Sequence, residues 1–536
     1  MKMNKSLFVV LSTVLVSGTV LAGCGGGSGD SAGSGELAQE ISINLKSEPP
    51  TADPGLADDS ASSTILRATF DGLMRPGLDG KLANSVAKDY KMSEDGKTYT
   101  FTLRESKWSN GEPVTAKDFE YAWKRVLTPK LGASYAYQLY YLKNAEAYNK
   151  GQAKVEDVGV KALDEHTLEV TLENPTPFFL ELTAFYTLFP VNEKLVSSNK
   201  EWANEAATHV GNGPFKMTEW KHKSSIILEK NENYWDAENV KVNKINMNMI
   251  DDESTELSMF EQGELNWAGQ PTSMIPTDAI KPKMDSGEAN TQAKAGIYWY
   301  KFNTEKAPFN NAKIRKAFAY AIDRQTIVDN ITQSGQIPAM SVLPPTMELN
   351  KGGLFKDYDA ETAKKLLEEG MKEEGLTKLP PIELSFNTAE KHKKIAETIQ
   401  DQWKKVLGAN VTLVNKEWKV YVEDMHSGNY QVGRMGWNAD YNDPISFLDI
   451  YKDKTGGNND TKWENAKYKE LLDKASAETD LAKRSEYMTE AERILVDEMP
   501  IVPIYFDSNL WLQDKNLKNV IVDPLGNIDF KWAVME

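Results

Sequence analysis

Gly433-Arg-Met-Gly-Trp-Asn-Ala-Asp-Tyr-Asn-Asp-Pro444, written GRMGWNADYNDP, starts like a buried strand and ends like a polar turn. It carries an arginine and, six residues later, an aspartate, set among glycines and aromatics. Asn, Asp and Pro are ordinary turn residues, so the simplest reading is a strand leaving its sheet. Alternation along YQVGRMGW puts Tyr430, Val432 and Arg434 on one face, with Gln431, Met435 and Trp437 on the other. Just upstream, NVTLVN predicts a second strand and WKVYVEDM a helix. Before them KKIAETIQDQWKKVLG has apolar residues at Ile395, Ile399, Trp403 and Val406, with Gly408 as its C-terminal stop. Strands and helices alternate here, which predicts an α/β class with helices on sheet faces. Open α/β sheets place ligands beyond strand ends, so the end of this strand is the first place to look for a site.

Further toward the N-terminus the same signals recur. ISINLKSEPPTADPG is an alternating strand broken by prolines and followed by a polar loop, ADDSASST. ILRATFDGLMRP has helical spacing at Ile65, Leu66, Thr69 and Leu73, and TYTFTL (98–103) alternates as a strand. TAKDFEYAWKRVL predicts an amphipathic helix with Thr115 as N-cap and Asp118 three residues on. TLEVTLENPTPFF is a strand ended by prolines, and GNGPFKMTEWKHKSSIILEK two strands with a polar connection. Gly211-Asn-Gly213 lacks the spacing of a phosphate loop, and Pro214 removes an amide donor, so it reads as a turn. IRKAFAYAIDRQTIVDNI and AETAKKLLEEG predict further helices.

The chain opens MKMNKSLFVVLSTVLVSGTVLAGC, with two lysines before an apolar run, which is the layout of an export signal. The run is barely long enough to span a bilayer and ends in small residues, which disfavours a retained anchor; no later apolar stretch is long enough. Leu21-Ala-Gly-Cys24 resembles the bacterial lipobox, in which the cysteine is lipidated and becomes the first mature residue. Cys24 is the only cysteine, so the mature body holds no disulfide, thiolate metal site or cysteine nucleophile. The tract GGGSGDSAGSG behind it is a flexible tether, giving residues 1–23 as signal and 24–36 as tether. The expected location is the extracytoplasmic face of the cell membrane, held by lipid, in a Gram-positive organism.

Loss of Lys2 and Lys5 with the signal takes the formal charge from −17 to −19. Phosphate contacts need clustered Lys and Arg, so an acidic body argues against nucleic acid as a partner. It also disfavours adsorption to anionic lipid and leaves anchoring to the lipid chain. About 510 mature residues exceed what one core usually serves, which predicts two or three domains. Thirteen tryptophans and 21 tyrosines are core material first, yet they also suit a cavity accepting varied guests.

The apparatus of catalysis is missing. His166, His209, His222, His392 and His426 form no His-Glu-x-x-His pair, there is no Gly-x-Ser-x-Gly elbow, and no phosphate or dinucleotide glycine loop occurs. DKTGGNNDTKWE has the composition but not the ligand spacing of a calcium loop. A glycosidase-type carboxylate pair stays open, since 79 acids allow many pairs. The expectation is a protein that is not an enzyme and uses no cofactor or metal.

Several segments together resemble the extracytoplasmic solute-binding proteins of ABC importers, specifically family 5 and its dipeptide/oligopeptide-binding branch. They are VGNGPFKMTEW with LEKNENYWD, WYKFNTEKAPFNNAKIRKAFAYAIDR, SNGEPVTAKDFEYAWKRVL and EMPIVPIYF, spread from about residue 40 to the C-terminus. The resemblance implies a type II periplasmic-binding-protein-like α/β fold of two lobes joined by a hinge, with three domains of mixed sheets flanked by helices. Domain I would comprise 37–75 with 195–296 and 508–536, domain II 76–194 and domain III 297–507. It implies a monomer that captures short peptides and delivers them to a membrane-embedded ABC permease with its ATPase subunits. The alternatives are a signalling peptide, a non-peptide solute such as nickel, haem, an opine or an oligosaccharide, or an extracellular hydrolase.

Within that branch GWNADYNDP resembles the segment whose aspartate pairs with the ligand's α-ammonium, which carries over to Asp440. Arg434 matches a residue facing the ligand's C-terminal carboxylate, an anion that a guanidinium fork suits. The two would read a zwitterion from its ends. From the residue alone, Asp440 reads as an Asx turn or cap, and only the resemblance turns it toward the ligand; Arg434 is equally an internal salt bridge, and Trp437 equally a wall of core or pocket. Tyr135, in GASYAYQLYY, resembles a tyrosine that covers the bound main chain, with Tyr137 adjacent in register. Asp58, in TADPGLADDS, sits where the branch has an acid near the ligand, with Asp59 beside it. A surface or packing role is the alternative for both.

Overall fold

The strand predicted in YQVGRMGW forms as Val432–Asn438 and lies inside a seven-stranded mixed sheet. On one side it pairs antiparallel with Ala289–Phe302 along its whole length, setting Tyr300 opposite Arg434 and Ile297 opposite Trp437. On the other side it pairs with Ile382–Asn387 only through Val432 and Gly433. From Arg434 onward this edge is therefore unpaired by strand, and the chain is free to diverge. In the computed structural model, residues 37–347, 349–455 and 458–536 are described, and 38–536 form one compact unit. The export signal, Cys24 and the tether lie outside the described residues.

Helix Glu390–Leu407 covers this sheet with the predicted stripe: Ile395, Ile399 and Trp403 are fully buried and Val406 nearly so. The Trp403 indole donates to the carbonyl of Phe318 at 2.8 Å, which ties this helix to helix Ala312–Tyr320. Gly408 ends the helix in the left-handed region (φ 65°), where the missing Cβ removes the steric penalty.

Two smaller four-stranded sheets come from the first half of the chain. One joins Glu40–Asn44, Lys244–Asn248, Ser225–Lys230 and Phe215–Lys221; the other, fully antiparallel, joins Ala87–Met92, Thr98–Leu103, Thr167–Thr171 and Val160–Ala162. Helix Ala116–Val126 packs on the latter. Both the backbone N–H and the hydroxyl of Thr115 donate to the Asp118 carboxylate, at 2.8 and 3.0 Å, closing the predicted cap.

The two longest strands, Ala289–Phe302 and Ile501–Gln513, run antiparallel to each other. Their pairing is regular from Ala289 to Ala293, is interrupted by a bulge before Ile297, and shifts register again between Tyr298 and Trp299. A bulge leaves residues out of the ladder and bends the strand. No other pair of strands in the seven-stranded sheet shares so long a ladder.

Two expectations are corrected. The polar loop ADDSASST is half helix: Ser60–Thr69 is helical because the Asp59 carboxylate accepts from the amides of Ala61 and Ser62, both at 3.0 Å. That helix stops at Thr69, so Leu73 lies beyond it. The long helix read from IRKAFAYAIDRQTIVDNI is broken at Ala321–Asp323 into Ala312–Tyr320, Arg324–Ile327 and a π-type turn, Val328–Thr332. The break turns the fully buried Arg324 inward, where it donates to the carbonyls of Pro503 (2.7 Å) and Ala319 (3.1 Å) and pairs with Asp357 (2.9 Å).

Gly211-Asn-Gly213, expected as a turn, is an irregular stretch that bends at Gly213, and its glycines serve close approach. The Asn212 carboxamide accepts from the amide of Asp71 and donates to its carbonyl, at 2.9 and 3.0 Å, while the Gly213 amide donates to the carbonyl of Thr69 at 2.9 Å. A Cβ on Gly211 would run into the Thr69 carbonyl. Gly211→Ala is expected to cost about 1–3 kcal/mol, the range for overpacking a tight contact, read as a lower urea midpoint.

Candidate functional site

Arg434 is placed where its strand loses its second neighbour. The Tyr421 hydroxyl donates to the Arg434 carbonyl at 2.6 Å, fixing the backbone. The guanidinium lies over the Tyr298 ring, 4.5 Å from its centroid, and Nη1 donates to Asn387 Oδ1 at 3.3 Å. Its Nε is buried without a hydrogen-bond partner. Arg75, Arg125, Arg324 and Arg484 each pair with a carboxylate; among the described residues Arg434 does not. The internal salt bridge weighed for Arg434 is therefore not what the structure holds. Beside it burial, with the charges of Arg434 and Lys391, keeps His392 well below its usual pKa, and burial also lowers Lys391. His392 Nδ1 meets the Tyr298 hydroxyl at 3.2 Å. This corner has cationic groups to spare, and an anion would be welcome there.

Asp440 lies beyond the strand end, its amide donating to Ser446 Oγ at 3.0 Å. Its carboxylate caps no helix. It receives hydrogen bonds from residues some 300 positions earlier: Gln138 Nε2 at 2.7 Å, the Tyr135 hydroxyl at 3.3 Å and the Tyr137 hydroxyl at 3.5 Å. These three come from one short segment around the turn Ala136–Leu139. Burial pushes Asp440 up to about 7, against the pull of the three hydrogen bonds. No cation stands beside it to offset the burial. The Asx role falls instead to Asp443, whose Oδ1 accepts from the Ile445 amide at 3.0 Å and which pairs bidentately with Arg484 at 2.8 and 2.9 Å.

The same two parts of the chain meet again next to Asp440. Phe178 stacks on Tyr441, with ring centroids 4.5 Å apart at 8°. The hydroxyls of Tyr141 and Tyr441 are 3.1 Å apart, and the Asn442 amide donates to Glu181 Oε2 at 3.0 Å. Between them lies a cavity of about 640 Å³, lined by Tyr137, Gln138, Trp437, Asp440, Tyr441 and Arg484 among others, a size suited to a small ligand. A larger one of about 860 Å³, around Asp53, Arg125 and Trp202, touches none of the residues singled out in the sequence.

Of those residues, Asp440 and Tyr135 are brought into contact, and Trp437 lines the cavity with its Nε1 unpartnered. Tyr135 packs edge-on against Phe185 and Tyr186. Asp58 is exposed, and its neighbour Asp59 is the helix cap. Asp58 reaches the site only through space, as a minor contributor to the raised pKa of Tyr186. Gln138 and Lys391 were not found in the sequence, since only the fold brings them to Asp440 and Arg434. Tyr137 was noticed for its register alone.

Residues 81–459 match the family described as bacterial extracellular solute-binding proteins, family 5 Middle. The oligopeptide-binding protein OppA of Bacillus subtilis is 51% identical over 99% of both chains. The murein tripeptide binding protein MppA of Escherichia coli is 31% identical, with a TM-score of 0.84 over 92% of this chain and 98% of its own. Its unliganded open form, covering 93% of this chain and 97% of its own, matches at only 0.70. In this chain hydrogen bonds join Asp440–Asn442 to the segment Tyr135–Glu181. The matched structures share the two-lobe α/β fold. With this span of the family and this identity along nearly its whole length, the chain belongs to family 5 of the bacterial extracellular solute-binding proteins.

Proposed function

We propose that this protein captures short peptides between its lobes, holds the peptide's α-ammonium at Asp440 and its α-carboxylate at Arg434, and delivers them to a membrane-embedded ABC permease. The observation that carries this reading is the half-buried Asp440 carboxylate, held by Gln138, Tyr135 and Tyr137, raised to about 7 and lacking a cation. An ammonium is the group that removes that penalty, because a fixed opposite charge offsets the desolvation of both. Arg434 and its cationic surroundings await the opposite end. The six residues from Arg434 to Asp440 bound their backbone separation at about 20 Å, which suits tri- to pentapeptides. The Bacillus relative's name, an oligopeptide-binding protein, supports the same ligand class.

Trp437 then forms a pocket wall, and Tyr135 and Tyr137 lie over the ligand's first residue. Asp58 takes no direct part. The domain division is 37–75 with 195–296 and 508–536, then 76–194, then 297–507. Its support is the bulge between Ala293 and Ile297, opposite Phe506 and Ser508, which puts the break in pairing at the border of domains I and III. That bulge is the hinge. Cys24 carries the lipid, which holds a monomer at the outer face of the cell membrane, in reach of the permease and its ATPase subunits.

Titration calorimetry with unmodified tri- to pentapeptides and their N-acetyl forms tests the reading. The free-amine forms should bind and the acetylated forms should not; Asp440→Asn should cost the free-amine form about 30-fold or more, the lower range for truncating a buried charge pair. Equal affinity for both ligand forms refutes the ammonium clamp.

The pH dependence has a definite sign. Asp440 in the closed, peptide-free protein holds its proton below about 7, while a carboxylate facing an ammonium must be ionised. Binding therefore expels a proton below pH 7, and affinity falls with pH by up to about tenfold per unit. Above about 8 the peptide's amine, with a pKa near 7.7–8.0, must instead gain one. Buffer-dependent binding heats should show proton release at pH 6 and uptake at pH 9. Asp440→Asn should abolish the release and keep the uptake.

A further inference from the structure

Gln138 is 2% exposed, and its backbone is set by an amide bond to the Tyr135 carbonyl at 3.0 Å. Its carboxamide has one satisfied half and one orphan. Nε2 donates to Asp440 Oδ2 at 2.7 Å, while Oε1 is buried with no hydrogen-bond partner. With Asp440 ionised, as it must be opposite an ammonium, the amide keeps this orientation, since its oxygen would otherwise face the carboxylate. The nearby hydroxyls do not help either. Those of Tyr135 and Tyr137 each have one proton, and both direct it at Asp440. A buried acceptor left without a donor is rare in folded proteins and asks for the group that completes it.

The arithmetic of donors identifies that group. An ionised carboxylate offers about four lone-pair sites, and Asp440 already accepts three hydrogen bonds. An α-ammonium brings three N–H donors to a carboxylate with about one site left. It needs a second acceptor beside Asp440, and Gln138, whose Nε2 already touches the carboxylate, has its Oε1 unused. Gln138 also lines the cavity that Asp440 lines.

We propose that Gln138 is a specificity-determining residue of the amino-terminal subsite: its Oε1 accepts a second hydrogen bond from the ligand's α-ammonium, so the site favours a primary amine over an equally charged one with fewer N–H donors. This rests on the peptide reading given above. Asp440 answers to the charge of the ligand's amine; Gln138 answers to its number of hydrogens.

The test compares three forms of one tripeptide on the full protein: free amine, N,N-dimethylated amine and N-acetyl. The dimethylated form keeps its charge and has a single N–H, enough for Asp440 alone. Wild-type protein should bind it about tenfold or more weakly than the free amine, the worth of one hydrogen bond plus a buried acceptor left open. Gln138→Met, of similar volume, should weaken the free-amine form about tenfold and change the dimethylated form less than about threefold. Equal wild-type affinity for the free and dimethylated forms overturns the inference without any variant being needed. So does a Gln138→Met that weakens both forms alike, the mark of a packing role, or that weakens neither. The acetylated form separates the two levels: if it binds as well as the free amine, the peptide-ammonium reading fails and this inference with it. If only the dimethylated form binds like the free amine, Gln138 alone is acquitted.

Discussion

A half-buried carboxylate with no cation of its own, that of Asp440, is the constraint on which the proposed site depends. Taking a charge out of water costs several kcal/mol unless something fixed replaces the water. The protein supplies hydrogen bonds from Tyr135, Tyr137 and Gln138 and withholds the cation, so Asp440 stays at about 7 rather than near its ordinary value. Other charges of the same chain are paired: Asp443 with Arg484, and Asp71 and Asp529 with Arg75, are complete ion pairs. Neither Asp440 nor Arg434 forms an ion pair among the described residues. Under the proposed function, the missing partners are the two ends of one ligand.

The donors to Asp440 come from the segment Tyr135–Gln138, far away along the chain, so under the proposed domain division lobe closure and the state of the carboxylate are linked. The Phe178–Tyr441 stack and the Tyr141–Tyr441 contact add aromatic area to the same seam, and the Asp443–Arg484 pair holds the loop that presents it. Under the proposed domain division, motion at the bulge between Ala293 and Ile297 would open this seam and leave the Asp443–Arg484 pair intact. A ligand that satisfies Asp440 biases this equilibrium toward closure by the difference between its interactions in the two states, and by no more.

Much of the frame was legible because local chemistry dictated it. The stripe Ile395, Ile399, Trp403 and Val406, the Gly408 stop and the Thr115–Asp118 cap all formed where their spacing placed them. Errors came where tertiary demands overrode local pattern. A single cap, Asp59, converted half a polar loop into helix, and burial of Arg324 against Pro503 broke what read as one long helix. Within the site, Asp440 and Arg434 were visible because one short motif carries both. The segment that meets Asp440 was visible only as GASYAYQLYY, a run of aromatics with Gln138 indistinguishable from any surface glutamine. A hydrogen bond between residues 302 positions apart leaves no trace in spacing or periodicity.

The two ends of the site are built differently, and the difference has a consequence under the proposed function. Asp440 is held by three hydrogen bonds and a backbone contact to Ser446, so it defines one point in space. Arg434 has a single side-chain hydrogen bond, at 3.3 Å, and otherwise rests on the face of Tyr298 with Lys391 nearby. A cation resting on a ring can swing at little cost, because the attraction varies slowly as it slides over the face. A ligand would then be registered from its amino end, and the carboxylate end would find whichever arrangement of the cationic corner its length reaches. A rigid clamp at both ends would accept one length alone. One rigid and one yielding end is the arrangement that tolerates several lengths while still requiring a free amine.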